Sequence, residues 1–282
     1  MTVEPLFILC PGRSFSSIIC AVIGQHPQAF GLPEVHLFVE RTVGGLLDLD
    51  FPMLRSAGAS TGLKRAVAEM GFAEQTYESV ERAERWLQAR RSMTGAEMFR
   101  ELGTLAPGRV LIDKSPTNSD SKRLELIYRG FPNAKYLHLS RHPYATCRSQ
   151  RSAFSGRKNF QKLKNYDHES HWRARHEFIL DFSTRLAPDQ YMFLHGEWFF
   201  EAPEKYLRQI CDWLGLSTDD EAVARMMKPE LSPFAALGPS NAKYGNNLGF
   251  MDSPYLRVGK PKPESLDHPL EWKEDSTTFF NN

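Results

Sequence analysis

The chain repeats a short apolar strand followed by a helix-forming segment, and this repeat restricts the fold to a few architectures. Apolar and β-prone residues run together and stop at Gly, Pro or charge in four segments: Leu6 to Cys10, Arg109 to Ile112, Lys135 to Leu139 and Tyr191 to Leu194. Each leads towards a helical pattern, clearest in Ser16 to Gly24, Ser119 to Arg129 and Pro203 to Leu214. The alternation predicts an α/β protein whose central parallel sheet is flanked by helices.

The domain organisation is indicated by the two parts of the chain in which the strand–helix alternation is interrupted. Residues 51–106 lack a comparable strand and are rich in helix formers, so we interpret them as a helical insertion that forms a cap. From residue 229 to residue 282, Gly, Pro and Asn become frequent, which indicates a closing segment without clear periodicity. We find no repeat and no linker, and we expect a single domain over residues 1–282.

Composition excludes several classes of protein. Net charge is +1, which predicts no nucleic-acid partner, because the molecule as a whole has no field that would gather polyanions. The longest apolar run, Ile18 to Ile23, is far shorter than the roughly 20 residues of a membrane span. The beginning of the chain does not resemble a signal peptide, and the four cysteines lie far apart without a C-x-x-C pair. We therefore expect no membrane association and a cytoplasmic protein with reduced thiols.

The first chemical motif lies between the first strand and the first helix. Such a turn points backbone N–H groups and the positive end of the helix dipole at the carboxyl edge of the sheet, where anions bind. Gly12 permits close approach of the backbone, Arg13 supplies charge, and Ser14, Ser16 and Ser17 offer hydroxyls. The G-x-x-x-x-G-K-[ST] pattern of nucleoside triphosphatases is missing. The alternative is an ordinary Gly/Ser turn whose serines cap the helix.

Two further strand ends carry cations. Arg141 closes a buried strand and Ser149 follows one to two turns into the next helix, so both can reach one anion. Residues 141–164 contain seven Arg or Lys and no Asp or Glu; for Arg157, Lys158, Lys162 and Lys164 we favour a solvated basic surface. Lys114 follows another strand at the same edge of the sheet. The alternative is that it only forms an ion pair with Asp113.

These motifs together resemble the sulfotransferases that use 3′-phosphoadenosine 5′-phosphosulfate (PAPS), in particular bacterial members similar to those of polyketide pathways. The family's P-x-[RK]-S-x-[ST]-[ST] loop is matched by residues 11–17, and its R-x-P motif with a later serine by Arg141, Pro143 and Ser149. Its D/E-K-S strand end is matched at residues 113–115, and its D-P-x-x-x-L-x-x-I-x-x-F-L-G-L segment is similar to residues 201–216. The resemblance implies a P-loop-like nucleotide-binding architecture and covers about residues 5–36 and 109–217.

The resemblance also implies roles. The loop residues Gly12, Arg13, Ser14, Phe15, Ser16 and Ser17 would hold the 5′-phosphosulfate of PAPS, and Arg141 with Ser149 the 3′-phosphate, as they would in the product PAP. Arg13 and Lys114 would neutralise charge on the leaving oxygen and the transferring sulfuryl oxygens. A sulfuryl group carries less charge than a terminal phosphoryl group, so we expect no metal. His168, His171 and His176 lack the i, i+4 spacing of a metal-binding helix and are interpreted as surface or substrate-facing.

A general base is needed for the acceptor proton. Members with a K-T-H strand end have a histidine where this chain has Pro116, so that base is absent. The segment Gly31 to Phe38 resembles the P-E-[LV]-H segment of bacterial members, and if it is extended, Glu34 and His36 project from the same side. Which of the two removes the proton stays open, as does a purely structural role for either.

The closing segment departs from the animal enzymes, whose R-K-G-x-x-G-x-W loop is missing here. Residues 238–245 are similar to a G-x-P-N segment of some bacterial members, with Asn241 or Lys243 as a candidate contact to the 3′-phosphate. The sequence leaves the acceptor open: a hydroxyl or amine of a small molecule or of a group bound to a carrier protein. The alternatives are a nucleotide-dependent kinase, which would need a loop lysine and magnesium ligands, and a non-catalytic nucleotide- or RNA-binding protein.

Overall fold

The centre of the molecule is a parallel sheet of five strands. The computed structural model describes residues 3–49, 58–155 and 166–259. The strands are β1 (Leu6–Leu9), β2 (Ala29–Gly31), β3 (Val110–Asp113), β4 (Lys135–Ser140) and β5 (Tyr191–His195). Their order across the sheet is β2-β3-β1-β4-β5, with every neighbouring pair parallel. The prediction of an α/β fold with a central parallel sheet is confirmed.

Helices cover both faces of the sheet. Their bounds are α1 (Ser16–Gly24), α2 (Val43–Asp48), α3 (Thr61–Phe72), α4 (Tyr77–Gln88), α5 (Gly95–Thr104), α6 (Ser121–Gly130), α7 (Pro143–Ser155), α8 (His168–Ser183), α9 (Gly196–Glu201), α10 (Pro203–Leu214), α11 (Asp220–Met226) and α12 (Leu248–Asp252). Helices α2 to α5 lie between β2 and β3, so the helical region begins at Val43, before the boundary expected at residue 51. Both α4 and α5 begin with a threonine in a capping box, which fixes their first turns.

The four strands expected from the sequence form within one residue of their expected ends, whereas β2 was not predicted. It is only three residues long, Ala29 to Gly31, and it contains a glycine. Periodicity cannot identify so short a strand. It forms because Phe30 and its neighbours pair with β3 in register with Val110 to Ile112. Glycine is required at position 31, since a Cβ there would lie 2.6 Å from the carbonyl oxygen of Cys20 in α1.

The core has two main parts, one on each face of the sheet. Successive side chains of a strand point to opposite faces, so Phe7 and Leu9 join one cluster while Leu6 and Ile8 join the other. The first cluster includes residues of α3 to α6, and the second includes residues of α1 and α10. All four β1 side chains are buried. This central strand therefore fixes the position of the loop that follows it.

Parallel pairing brings three chain segments to one edge of the sheet. Leu9 lies beside His138 of β4, and Phe7 lies beside Asp113 of β3. The residues that follow β1, β3 and β4 therefore leave the sheet at the same end, as expected for an α/β nucleotide site. Residues 50–57, 156–165 and 260–282 lie outside the described part; they include Arg157, Lys158, Lys162 and Lys164 of the expected basic surface.

Candidate active site

The loop between β1 and α1 is tightly folded. Arg13 and Phe15 have φ angles of 76° and 66°, in the left-handed region that residues other than glycine rarely adopt. Each such residue costs of order 1 kcal/mol, so surrounding contacts must hold the loop in place. One of these contacts is with Gly196, where a Cβ would lie 2.5 Å from Cδ2 of Phe15. The phenyl ring of Phe15 thus occupies space that only a glycine leaves open.

The loop presents an anion-binding surface at the beginning of α1. Among the described residues no side chain caps this helix, so its first N–H groups and the positive end of its dipole are available to an anion. The hydroxyl of Ser14 is fully buried and finds no hydrogen-bond partner within the described part of the chain. Ser16 and Ser17 are buried in the first turn. A group with several anionic oxygens fits these donors, as the sequence predicts for a phosphosulfate.

Arg141 and Ser149 both contact this loop. Arg141 Nη1 donates to the carbonyl oxygen of Arg13 at 2.8 Å, and its guanidinium lies 4.3 Å from the centre of the Phe15 ring. Arg13 Nε donates to Ser149 Oγ at 3.1 Å. Gln150, which the sequence analysis missed, donates from Nε2 to the carbonyl oxygen of Gly12 at 2.8 Å. The structure thus brings Arg141 and Ser149 together with the loop at residues 12–17.

Lys114 lies at the centre of the site. Its side chain is 1% exposed, and Nζ donates to Ser17 Oγ at 3.1 Å, Glu34 Oε1 at 3.1 Å and Asn246 Oδ1 at 2.7 Å. The alternative pairing with Asp113 is not found. Asp113 instead accepts hydrogen bonds from the backbone and side chain of Ser115 and from the amide of Asn118. The carboxylate of Asp113 therefore shapes the turn after β3 and leaves the ammonium to Glu34.

Glu34 links the lysine to His36. Glu34 Oε2 lies 3.7 Å from His36 Nε2, and His36 Nδ1 lies 3.0 Å from Thr117 Oγ1. Burial acts to raise the pKa of Glu34, but the charge of Lys114, the nearby His36 and the hydrogen bond from Lys114 outweigh it and lower the pKa well below its ordinary value. Glu34 is therefore ionised.

The backbone at His36 differs from the extended segment considered above. His36 has a φ angle of 51°, and its N–H donates to Ser115 Oγ at 3.0 Å. Ser115 Oγ in turn donates to Asp113, so the turn after β3 holds the backbone of His36. The left-handed conformation still leaves the imidazole beside Glu34, because Thr117 positions the other side of the ring. The local sequence does not predict this conformation, because a positive φ is uncommon for residues other than glycine.

Asn246 is the site residue least apparent from the sequence. It lies in the Gly- and Asn-rich closing segment, where no strand or helix pattern fixes its position. Of the candidates named in that segment, Asn241 donates to the carbonyl oxygen of Tyr77 at the beginning of α4. Lys243 Nζ lies 5.8 Å from the ring centre of its neighbour Tyr244. The structure thus gives Asn246 a contact with Lys114 and places the Asn241 side chain on α4.

Two of the three histidines of α8, His168 and His176, are buried, so the surface position expected for them is wrong, and His171 is half-buried. His168 Nδ1 lies 2.9 Å from Gln150 Oε1, so this histidine orients the amide that supports Gly12. His176 Nδ1 lies 2.7 Å from Nε2 of His138 on β4, and burial lowers the pKa of His176 to about 3. Burial also lowers the pKa of His171 to about 4, with the charges of Arg175 and His168 acting in the same direction. The described residues contain no group of three or more His, Cys, Asp or Glu arranged to hold a metal ion.

A cavity of about 270 Å³ lies beside the edge strand β2, away from the Lys114 cluster. It is lined by residues of the strand, of α1 and α3, and of the region around α11, including Phe30, Glu69, Arg109 and Arg225. None of the residues predicted from the sequence to bind donor or acceptor lines it. Within the described ranges, none of the helices has the length and apolarity required to cross a bilayer.

Comparisons with known proteins identify the class. A family model described as the sulfotransferase family matches residues 5–220, and the chain belongs to that family. The sulfotransferase domain of the Synechococcus PCC 7002 olefin synthase is similar in structure, with a TM-score of 0.67, 28% identity, and coverage of 88% of this chain and 86% of that chain.

Two other solved structures share the fold at lower identity. The sulfotransferase domain from the curacin biosynthetic pathway matches with a TM-score of 0.66 and 22% identity, covering 92% of this chain and 93% of that chain. A sulfotransferase from Mycobacterium avium matches with a TM-score of 0.51 and 18% identity, covering 89% of this chain and 75% of that chain. No protein with a curated description matches this sequence significantly.

Proposed function

We propose that this chain transfers a sulfuryl group from PAPS to a hydroxyl or amine of a small-molecule or carrier-bound acceptor. The observation that carries the proposal is the position of the Lys114 ammonium. It contacts Ser17 of the anion-binding loop on one side and Glu34 of the Glu34–His36 pair on the other. A single buried cation thus joins the residues suited to holding a phosphosulfate with the residues suited to receiving a proton.

The donor is held by the two cationic motifs. We assign the 5′-phosphosulfate to residues 12–17 and the first turn of α1, whose N–H groups and the Ser14 hydroxyl need acceptors. We assign the 3′-phosphate to Arg141 and Ser149, which contact the same loop. PAPS supplies an activated sulfuryl group whose departure leaves a phosphate. Charge then develops on the oxygen that is released, and Arg13 and Lys114 stabilise it electrostatically.

The acceptor is activated at the opposite side of Lys114. The acceptor oxygen or nitrogen forms the new bond to sulfur as the bond from sulfur to the phosphate oxygen breaks. Glu34 holds a proton poorly because its pKa is lowered, so we assign the acceptor proton to Nε2 of His36. In this assignment His36 donates from Nδ1 to Thr117 Oγ1, and Glu34 stabilises the imidazolium from 3.7 Å. Neither step calls for a metal ion.

The acceptor class and the cellular location belong to the same proposal. The relative at 28% identity is a domain of an olefin synthase, which favours an acceptor of the kind such synthases carry on a protein. The four cysteines, Cys10, Cys20, Cys147 and Cys211, are buried free thiols. Free thiols in this number are usual in a reducing compartment, so we assign the protein to the cytoplasm.

Two measurements test the proposal. Calorimetry in EDTA should show binding of PAP, and weaker binding of adenosine 5′-phosphate, which lacks the 3′-phosphate. A kinase would lose most nucleotide affinity without magnesium, and an RNA-binding protein would not prefer the 3′-phosphate. Incubation of metabolite and carrier-protein extracts with isotopically labelled PAPS should give a labelled product with the wild-type chain and none with Lys114→Met. Absence of PAP binding would refute the proposal.

A further inference from the structure

A buried arginine outside the proposed site connects the helical region to Lys114. Arg65 lies on α3 and is 1% exposed. Its Nη2 donates to the carbonyl oxygen of Ala236 at 2.9 Å, its Nη1 to that of Tyr244 at 3.0 Å, and its Nε to Gln75 Oε1 at 2.7 Å. Burial lowers the pKa of Arg65 to about 10, although the charge of Glu69 opposes the shift. Burial of a charged guanidinium costs free energy, and hydrogen bonds to three acceptors in fixed directions offset that cost.

The guanidinium fills the centre of a loop in the closing segment. Ala236 and Tyr244 lie on the two sides of this loop, which is narrowed by a hydrogen bond from the Gly238 N–H to the Lys243 carbonyl oxygen at 2.9 Å. A Cβ at Gly238 would lie 3.0 Å from Arg65 Nε, so loop and side chain are closely packed. The planar fork of Arg65 therefore fixes the distance between the two sides of the loop.

The residues directly after Tyr244 reach the active site. The Glu34 N–H donates to the carbonyl oxygen of Gly245 at 2.9 Å, and Lys114 donates to Asn246 Oδ1 at 2.7 Å. Asn246 Nδ2 donates to the carbonyl oxygen of Phe234 at 3.1 Å, so both ends of its amide are held. The loop around Arg65 thus delivers an oxygen to Lys114 and supports the backbone of Glu34.

The ammonium of Lys114 needs this oxygen. An ammonium has three N–H donors, and the three acceptors of Lys114 are Ser17, Glu34 and Asn246. Ser17 belongs to the donor-binding loop and Glu34 to the acid–base pair, so both are engaged in the proposed chemistry. Asn246 supplies a neutral oxygen, which directs the ammonium without cancelling its charge.

We propose that Asn246 is a positioning residue for sulfuryl transfer, and that Arg65 acts through it by fixing the loop that places Asn246 against Lys114. This inference rests on the proposed function for its kinetic part. Its structural part concerns only the orientation of one ammonium and is measured without substrate.

The kinetic test compares Asn246→Ala and Arg65→Lys with two controls. Asn133→Ala makes the same change in the exposed turn before β4, and Arg82→Lys makes the same change on the exposed surface of α4. Loss of a hydrogen bond to a charged group predicts a kcat lower by roughly 10- to 100-fold in Asn246→Ala, with the KM for PAPS changed less than about threefold. Arg65→Lys should lower kcat in the same way, and the controls should not.

The two variants should also be non-additive. Because both act on the same contact, adding Asn246→Ala to Arg65→Lys should lower kcat by less than about threefold further. Unfolding curves for each variant give the folded fraction at the assay temperature, so that kcat refers to folded protein. A loss of kcat that follows only the folded fraction would show a structural role and overturn the proposal. If Arg65→Lys does not fold, Asn246→Ala alone decides.

The structural test observes the Lys114 ammonium directly by NMR of protein labelled with 15N at lysine Nζ. A buried ammonium with three acceptors exchanges its protons slowly and gives a correlation that Lys114→Met removes. This signal should broaden or shift in Asn246→Ala and Arg65→Lys and stay unchanged in both controls. An unchanged signal in Asn246→Ala would overturn the proposal. Failure of the wild-type chain to bind PAP or transfer label would count against the proposed function alone, because the ammonium signal is still measured.

Discussion

Replacement of Lys114 by Met should lower both stability and turnover, and the two effects should separate in a second variant. The lysine ammonium is 1% exposed and Glu34 is 19% exposed, so the ion pair is largely shielded from water. Met matches the lysine side chain as far as Cε and removes the ammonium, with its charge and its three hydrogen-bond donors. Glu34 would then keep a buried negative charge with His36 as its nearest partner, 3.7 Å away.

The size of the stability loss follows from the geometry. Two unit charges at the 3.1 Å separation of this pair attract by about 5 kcal/mol at an effective dielectric constant of about 20. The variant no longer has to desolvate the ammonium, which returns part of that energy, so we expect a net loss of about 3 kcal/mol at pH 7. Without Lys114 the pKa of Glu34 rises. The difference from wild type should therefore shrink as the pH falls and Glu34 becomes protonated.

Urea unfolding followed by circular dichroism measures the stability, and transfer from labelled PAPS measures the turnover. The double variant Lys114→Met with Glu34→Gln removes both charges and should regain more than half of the lost stability while its turnover stays low. A double variant as unstable as the single one, or a single variant as stable as wild type, would refute this account of the pair. Recovery of turnover in the double variant would show that sulfuryl transfer does not require Lys114.

Three further outcomes follow from the structure. Burial lowers the pKa of His176, and burial with neighbouring histidine charges lowers that of His138, so stability is lost as the pH falls below about 6.5. His176→Gln should reduce the slope of stability against pH, measured by urea unfolding from pH 5 to 7, by about 1 kcal/mol per pH unit. Arg141→Ala should weaken PAP binding in calorimetry at least about tenfold, with kcat at saturating PAPS within about threefold of wild type; an unchanged Kd would contradict its assignment. Gly196→Ala forces a Cβ against the Phe15 ring and should cost about 1–3 kcal/mol of stability and weaken PAP binding, whereas unchanged binding would show that the loop tolerates the shift.

The sequence predicts those parts of this protein that depend on local patterns. Four strands, the helix after the first strand and the cationic strand ends were all identified, because parallel pairing of apolar strands places such residues at one edge. Glu34 was found by resemblance alone, and its contact with Lys114 joins residues 80 positions apart. Nothing in the local sequence at either position predicts that ion pair.

What the sequence does not predict is set by tertiary packing. Asn246 reaches Lys114 across 132 positions from an irregular segment, and Arg65 is held by carbonyl oxygens more than 170 positions away. Backbone carbonyls carry no side-chain signature, so a buried arginine bonded to them looks like any surface arginine in the sequence. The left-handed residues Arg13, Phe15 and His36 are likewise imposed by their surroundings.

The contact of Asn246 with Lys114 also bears on when this protein acquires its activity during synthesis. Every strand of the sheet is complete once residue 195 has left the ribosome, although α9 and α10, which pack on the sheet, have not yet been made. The lysine ammonium gains its third acceptor only about fifty residues later. Under the proposed function, the contact that positions Lys114 would therefore be among the last parts of the site to form during synthesis.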